Sequence, residues 1–287
     1  MTSGVSIRVS GGLGNQMFQY AAARTLAMRL HVPLTLDLGF YDRGRHRGYG
    51  LDAFALAPHG QMGFSAGGRL SRMGRQLGAA ARRLLGQATP EYKEPHFHHD
   101  PAFEQLRAPV HLVGHFQSPR YFLAEAATMR LELAPPPADD PLSRNIAEAM
   151  TQGDSCALHV RRGDYVSNAK NQALFAACEP AYYAAAMARL PDSCTVYVFS
   201  DDMRWAREHL PQDRELVFVD DGQHRSGLAD LWLMTQAQHH VIANSSLSWW
   251  GAWLANRAPG HTTAPARWFI NPVMDDRDLL PEGWTRL

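Results

Sequence analysis

The 287-residue chain lacks any apolar run of about 18 residues, the length a helix needs to cross a bilayer, and this excludes a helical membrane span. Cysteine is scarce. Cys156, Cys178 and Cys194 are odd in number and have no metal-like spacing, which argues against a disulfide framework and fits a reducing compartment. The formal net charge is zero, so the surface as a whole is not built to bind nucleic acid. Lysine is nearly absent: of 28 basic residues only Lys93 and Lys170 are lysines. No charged n-region and apolar h-region precede Val5-Ser6-Ile7-Arg8-Val9, so no secretory signal is read and a cytoplasmic location is expected. No metal site is expected either. His96, His98, His99 and Asp100 sit between Pro95 and Pro101, where helical ligand spacing is impossible and a solvated loop is expected. The D-x-D tripeptide, Asp276-Arg277-Asp278, lies in a proline-flanked tail.

What is present is globular, 45% hydrophobic and 20% charged, and long enough for two domains. Pro135-Pro136-Pro137-Ala138-Asp139-Asp140-Pro141 breaks all periodicity and marks the boundary, giving domains 1–134 and 142–287. Beyond it, strands at 156–160, 194–199, 215–219 and 240–243 alternate with helices near 180–190, 202–210, 226–238 and 246–256. That alternation predicts a parallel sheet with helices on both faces. Ahead of the boundary, strands are read at Val5–Val9, Leu34–Asp37 and His111–Phe116. Residues Arg69 to Leu85 form a basic amphipathic pattern without a single acid. It either packs its apolar stripe on its own domain or lies on an anionic membrane surface, which would suit a lipid-linked acceptor. Arg43, Arg45, His46 and Arg47 fall in a turn-rich loop.

Three stretches carry chemistry. His159-Val160-Arg161-Arg162-Gly163-Asp164-Tyr165-Val166 closes an apolar strand, and at the carboxyl end of a strand in an open sheet two guanidiniums point at a ligand crevice. Arginine matches phosphate bidentately and stays charged at any working pH. The last strand runs into Asn244-Ser245-Ser246-Leu247-Ser248, where Asn or Ser caps a helix whose first turn makes a second anion cradle. The tryptophans after it, Trp249, Trp250 and Trp253, are read as core. The first strand ends in Gly11-Gly12-Leu13-Gly14-Asn15-Gln16, a glycine-rich turn into a helix that could set backbone N–H groups of Gly12 and Gly14 against an anion. Met17 stands where a dinucleotide fold needs a small residue. Asn15 and Gln16 offer uncharged polar groups suited to sugar hydroxyls or a phosphate oxygen. Asp37 ends the second strand at the same sheet edge, and Ser200, Asp201 and Asp202 read as helix caps.

The segments G-G-L-G-N-Q-M-F-Q-Y-A-A-A from Gly11, H-V-R-R-G-D-Y-V from His159, F-S-D-D from Phe199 and N-S-S-L-S-W-W-G-A-W-L from Asn244 together resemble the bacterial α-1,2-fucosyltransferases of glycosyltransferase family 11. The resemblance implies an α/β, GT-B-like architecture: two Rossmann-type domains with parallel sheets facing an interdomain cleft. It implies an N-terminal domain binding a galactose-terminated acceptor, a C-terminal domain binding GDP-fucose, transfer with inversion, and no metal or other cofactor. Arg161 looks like the arginine on the donor β-phosphate and His159 like its guanine-side neighbour. Asp230 resembles a guanine-contacting aspartate, and Ser246 and Ser248 match hydroxyls beside the pyrophosphate, with Asn244 and Ser245 in the same run. Asn15 matches an asparagine facing the reaction centre, with Gln16 and Asp37 on the acceptor side. Arg162 is expected to support the turn through Asp164. Relatives forming α-1,6 linkages have a glutamate after the arginine pair where this chain has Asn168, Ala169 and Lys170, so the catalytic base does not carry over; Asp164 and Asp37 are candidates. Alternatives are another fucosyl linkage or sugar nucleotide on the same scaffold, or a non-catalytic protein that binds glycan or nucleotide.

Overall fold

A computed structural model describes residues 4–41, 48–57, 62–65, 89–220, 222, 225–255, 257, 260–271 and 273–287. The arginine loop at 43–47 and the basic helix expected over 69–85 lie outside the described residues. The chain divides into two compact units, one formed by Met1–Leu133 with Arg277–Leu279 and one by Ala134–Asp276 with Leu280–Leu287. Among the described residues no helix is long and apolar enough to cross a membrane.

The first unit begins with β1 (Val5–Arg8), α1 (Leu13–Leu30) and β2 (Leu34–Asp37). It continues with β3 (Met62–Ser65), β4 (Glu91–Lys93), β5 (Val110–Val113) and α2 (Ala126–Glu132). Its five strands are all parallel, in the order β3-β2-β1-β5-β4. Val5, Ile7, Leu34, Leu36 and Leu112 bury the sheet's apolar side chains completely. Helix α1 is buried around most of its girth, Met17, Phe18, Tyr20 and Leu26 included. Arg24 of α1 pairs with Glu132 of α2 at 3.0 Å, and the Tyr20 hydroxyl donates to the same carboxylate at 2.6 Å, so a buried charge pair tethers the two helices.

The second unit contains α3 (Pro141–Gln152), β6 (Ser155–Val160), the short helices α4 (Gly163–Ser167) and α5 (Ala169–Gln172), and α6 (Pro180–Met187). After these come β7 (Thr195–Ser200), α7 (Met203–His209), β8 (Leu216–Phe218) and α8 (Gly227–Met234). The unit closes with β9 (His239–Val241), α9 (Ser246–Leu254), β10 (Thr262–Ala264) and β11 (Thr285–Arg286). Its six strands, also all parallel, run β11-β10-β9-β6-β7-β8. Counted from β6, this is the strand order of a doubly wound dinucleotide-type sheet, and it reverses direction between β6 and β9. Strand β6 is buried along its whole length, as a central parallel strand covered on both faces must be. Trp249 and Trp250 of α9 have no exposed surface, confirming them as core.

Candidate functional site

Ligands of open α/β sheets bind beyond the carboxyl ends of the strands where the order reverses. In the second unit that point lies between β6, which ends in His159 and Val160, and β9, which leads through Asn244 and Ser245 into α9. The two are linked: His159 Nδ1 and Ser248 Oγ lie 2.9 Å apart, and the Ser248 hydroxyl also reaches the carbonyl of Ser245 at 3.2 Å. Burial lowers the His159 pKa to about 4, with Arg161 assisting and Asp201 opposing, so the ring is neutral at pH 7.

Arg161 leaves the end of β6 between two carboxylates. It pairs with Asp164 on the first turn of α4, and its Nη1 lies 2.7 Å from Asp201 Oδ2. The Tyr165 ring lies beneath the guanidinium at 5.5 Å, with the phenol donating to the Asn244 carbonyl at 2.8 Å. The register of β6 on β7 explains these partners. Val160 sits opposite Ser200, so Arg161 emerges beside Asp201 and Arg162 beside Asp202. Gly163 permits the close approach, since a Cβ there would fall 2.4 Å from Asp201 Oδ2.

The division of labour expected between the arginines is corrected at this point. Asp164 pairs with Arg161, three residues before it, and not with Arg162. The Arg162 side chain turns the other way, over the Trp205 ring at 4.2 Å and 3.5 Å from Asp202 Oδ2, while its backbone N–H donates to Asp201 Oδ1 at 2.8 Å. Asp202 caps α7 as expected, accepting from the Trp205 N–H at 3.1 Å; Asp201 instead braces the arginine turn. The Asp164 carboxylate also accepts from Asn171 at 3.0 Å.

Other expectations are corrected by burial. The Asn244 amide is buried and donates to the carbonyls of Ala176 at 2.8 Å and Trp268 at 3.1 Å, so it ties the sheet to two loops and offers nothing outward. Ser245 occupies the N-cap of α9 without a side-chain capping bond. Ser246 opens the helix, at the positive end of its dipole. Asp230, on α8, pairs with Arg225 at 3.0 Å, and Arg225 reaches the Ser143 hydroxyl at 2.7 Å.

In the first unit the strand order reverses between β1 and β5. Gly12 is the N-cap of α1, and Gly14 is buried in its first turn. Asn15 accepts from the Gln117 amide at 2.8 Å, a link across the ends of β1 and β5. Gln16 is fully buried: its amide donates to the carbonyls of Gly11 at 3.2 Å and Gly48 at 3.0 Å and accepts from Gly50 N–H at 2.9 Å, so it cannot face an acceptor. Asp37 accepts from the Gly39 N–H at 3.0 Å. The segment at 96–100 is more ordered than a solvated loop, since Asp100 caps the turn Pro101–Gln105 and accepts from the Tyr92 hydroxyl at 2.6 Å. Among the described residues no three His, Cys, Asp or Glu side chains converge as metal ligands.

Two units with all-parallel sheets, one with an arginine turn after β6 and a helix N-terminus after β9 on either side of its switch point, give an α/β, GT-B-like fold. Residues 97–287 match the profile described as glycosyl transferase family 11, and the chain belongs to that family. An α-1,2-colitosyltransferase of Escherichia coli is 30% identical over 99% of this chain and 98% of its own length. A galactoside α-(1,2)-fucosyltransferase 1 of Ateles belzebuth is 30% identical over 44% of this chain and 36% of its own. Among solved structures, the NodZ α-1,6-fucosyltransferase co-crystallized with GDP superposes with a TM-score of 0.51 at 13% identity, covering 89% of this chain and 93% of NodZ.

Proposed function

We propose that this glycosyltransferase moves L-fucose from GDP-β-L-fucose to the 2-hydroxyl of a terminal β-galactoside, with inversion and without a metal. The observation that carries the reading is that Arg161 directly follows β6 and the N-terminus of α9 follows β9, the two neighbouring strands at which the sheet order reverses. Cleaving the bond from sugar to diphosphate leaves negative charge on the β-phosphate and an oxocarbenium-like carbon. A guanidinium and a helix N-terminus are fixed donors for that charge and need no reorganisation when it develops. Asp164 and Asp201 orient the arginine, and neutral His159 anchors the helix through Ser248. The α-1,2 linkage is supported by the names of the colitosyltransferase and fucosyltransferase relatives, and the fucosyl donor by the second of these.

A second donor has a specific observation in its favour. The relative matching over nearly the whole chain carries the name of a colitosyltransferase, and colitose is fucose without its 3-hydroxyl. Incubation with GDP-fucose and a terminal β-galactoside in EDTA tests the reading, with GDP release and linkage analysis as readouts. An α-1,2-fucosylated product is expected. Strong preference for the 3-deoxy donor would establish the second reading, and GDP binding without transfer to any acceptor would leave a binding protein.

A further inference from the structure

Tyr165 touches both halves of the anion cradle in the second unit, and the reaction above gives it no role. It lies on α4, one helical turn after Arg161, whose guanidinium stands over its ring at 5.5 Å. Its hydroxyl donates to the backbone carbonyl of Asn244 at 2.8 Å. Asn244 directly precedes Ser245, the N-cap of α9, so this bond fixes the point from which the helix starts. One side chain thus contacts the arginine that follows β6 and the residue that leads into α9.

The ring is held as firmly as the hydroxyl. Phe175 stacks on it with centroids 4.5 Å apart and planes 2° from parallel, and Phe269 packs on Phe175 at 5.3 Å. The loops that supply these rings return to Asn244. Its buried amide donates to the carbonyls of Ala176 and Trp268, the chain neighbours of Phe175 and Phe269. The Ile270 N–H joins the two loops by donating to the Leu174 carbonyl at 2.9 Å. Hydroxyl, ring and supporting loops therefore all refer to Asn244, and in a close-packed assembly a shift of the α9 entry moves the ring under Arg161. A phenylalanine would stack equally well; the phenol adds the bond that ties the stack to α9. A guanidinium and a helix N-terminus serve one diphosphate only while their spacing is held, and a misplacement of about 1 Å can cost on the order of 10²-fold in rate.

We propose that Tyr165 is a positioning residue that keeps Arg161 and the α9 N-terminus in register for one diphosphate, an inference that rests on the transfer reaction proposed above. Arg161 meets the departing phosphate, and Tyr165 acts through it and through the start of α9.

The test is a double-mutant cycle of Tyr165→Phe with Arg161→Lys, read as kcat/KM for GDP-fucose and as GDP affinity by calorimetry. With Arg161 in place, Tyr165→Phe should lower both by about three- to tenfold, the worth of one neutral hydrogen bond. Tyr165→Leu, which removes the ring as well, should lower kcat/KM by about 10²-fold. In the Arg161→Lys background the register no longer has a guanidinium fork to serve, and Tyr165→Phe should change either quantity by less than about twofold. Equal losses in both backgrounds would make Tyr165 a structural tie and overturn the proposal. A Tyr165→Phe enzyme indistinguishable from wild type overturns it as well, and either result leaves the transfer reaction standing. Wild-type protein that binds GDP but transfers no sugar overturns the transfer reaction, and the calorimetric cycle then decides Tyr165 by itself.

Discussion

At Arg161 the choice of arginine is a matter of geometry. A guanidinium can engage Asp164 and Asp201 from its two terminal nitrogens and remain a fork for a phosphate, which an ammonium cannot do. Arg161→Ala is expected to cost about 3 kcal/mol of transition-state stabilisation, on the order of 10²-fold in kcat. Both carboxylate partners are about a quarter to a third exposed, so its thermal midpoint should move little. Arg162→Ala should show the reverse balance, with lower stability from the lost stacking on Trp205 and a smaller effect on kcat. Measuring kcat/KM and thermal unfolding on both variants decides the matter, and the opposite ordering would move the phosphate role to Arg162. The sequence announces an anion site here, yet not which arginine turns back to Asp164. That choice follows from α4 starting at Gly163 and from strand β7 delivering Asp201 and Asp202 alongside, and neither can be read from one segment.

At the scale of elements, the strands of the second sheet were the most legible, because buried parallel strands read as short apolar runs between turn residues. Their ends shift by a few residues: the helix expected to reach 238 stops at Met234, and the strand expected from 240 starts at His239. Strands β3, β4, β10 and β11, of two to four residues, were missed, since so few side chains cannot show alternation. Strand order was equally hidden, because it depends on how crossovers wind. Two central strands also carry buried histidines with a consequence for stability. Burial lowers the pKa of His159 and of His240 to about 4. Their folded pKa values lie below the unfolded one near 6.5, so the unfolded chain takes up protons first and stability falls as pH drops from about 6.5 to about 4. Each should withdraw on the order of 1 kcal/mol per pH unit across that window. Urea unfolding at pH 7.5 and 5 should show this loss, and His240→Gln, which removes one of the titrating rings, should lose less between the two pH values. An equal loss in the variant would exclude His240 as a source.

For the molecule as a whole, two compact units with parallel sheets leave the question of which one holds the nucleotide. The second is favoured by charge. Its crest carries Arg161 and the α9 N-terminus, whereas the β1/β5 crest of the first offers the uncharged Asn15 and Gln117 amides. The proposed roles, donor binding for the second unit and acceptor binding for the first, make a spatially resolved prediction. GDP at about a hundredfold excess over its Kd should stabilise the native state by about 2.7 kcal/mol. The accompanying slowing of amide hydrogen exchange should concentrate in the peptides spanning 158–165 and 244–249. The turn at 11–16 should be little changed by GDP and should gain protection when a galactoside acceptor is added. Protection of 11–16 by GDP alone would reverse the roles of the units.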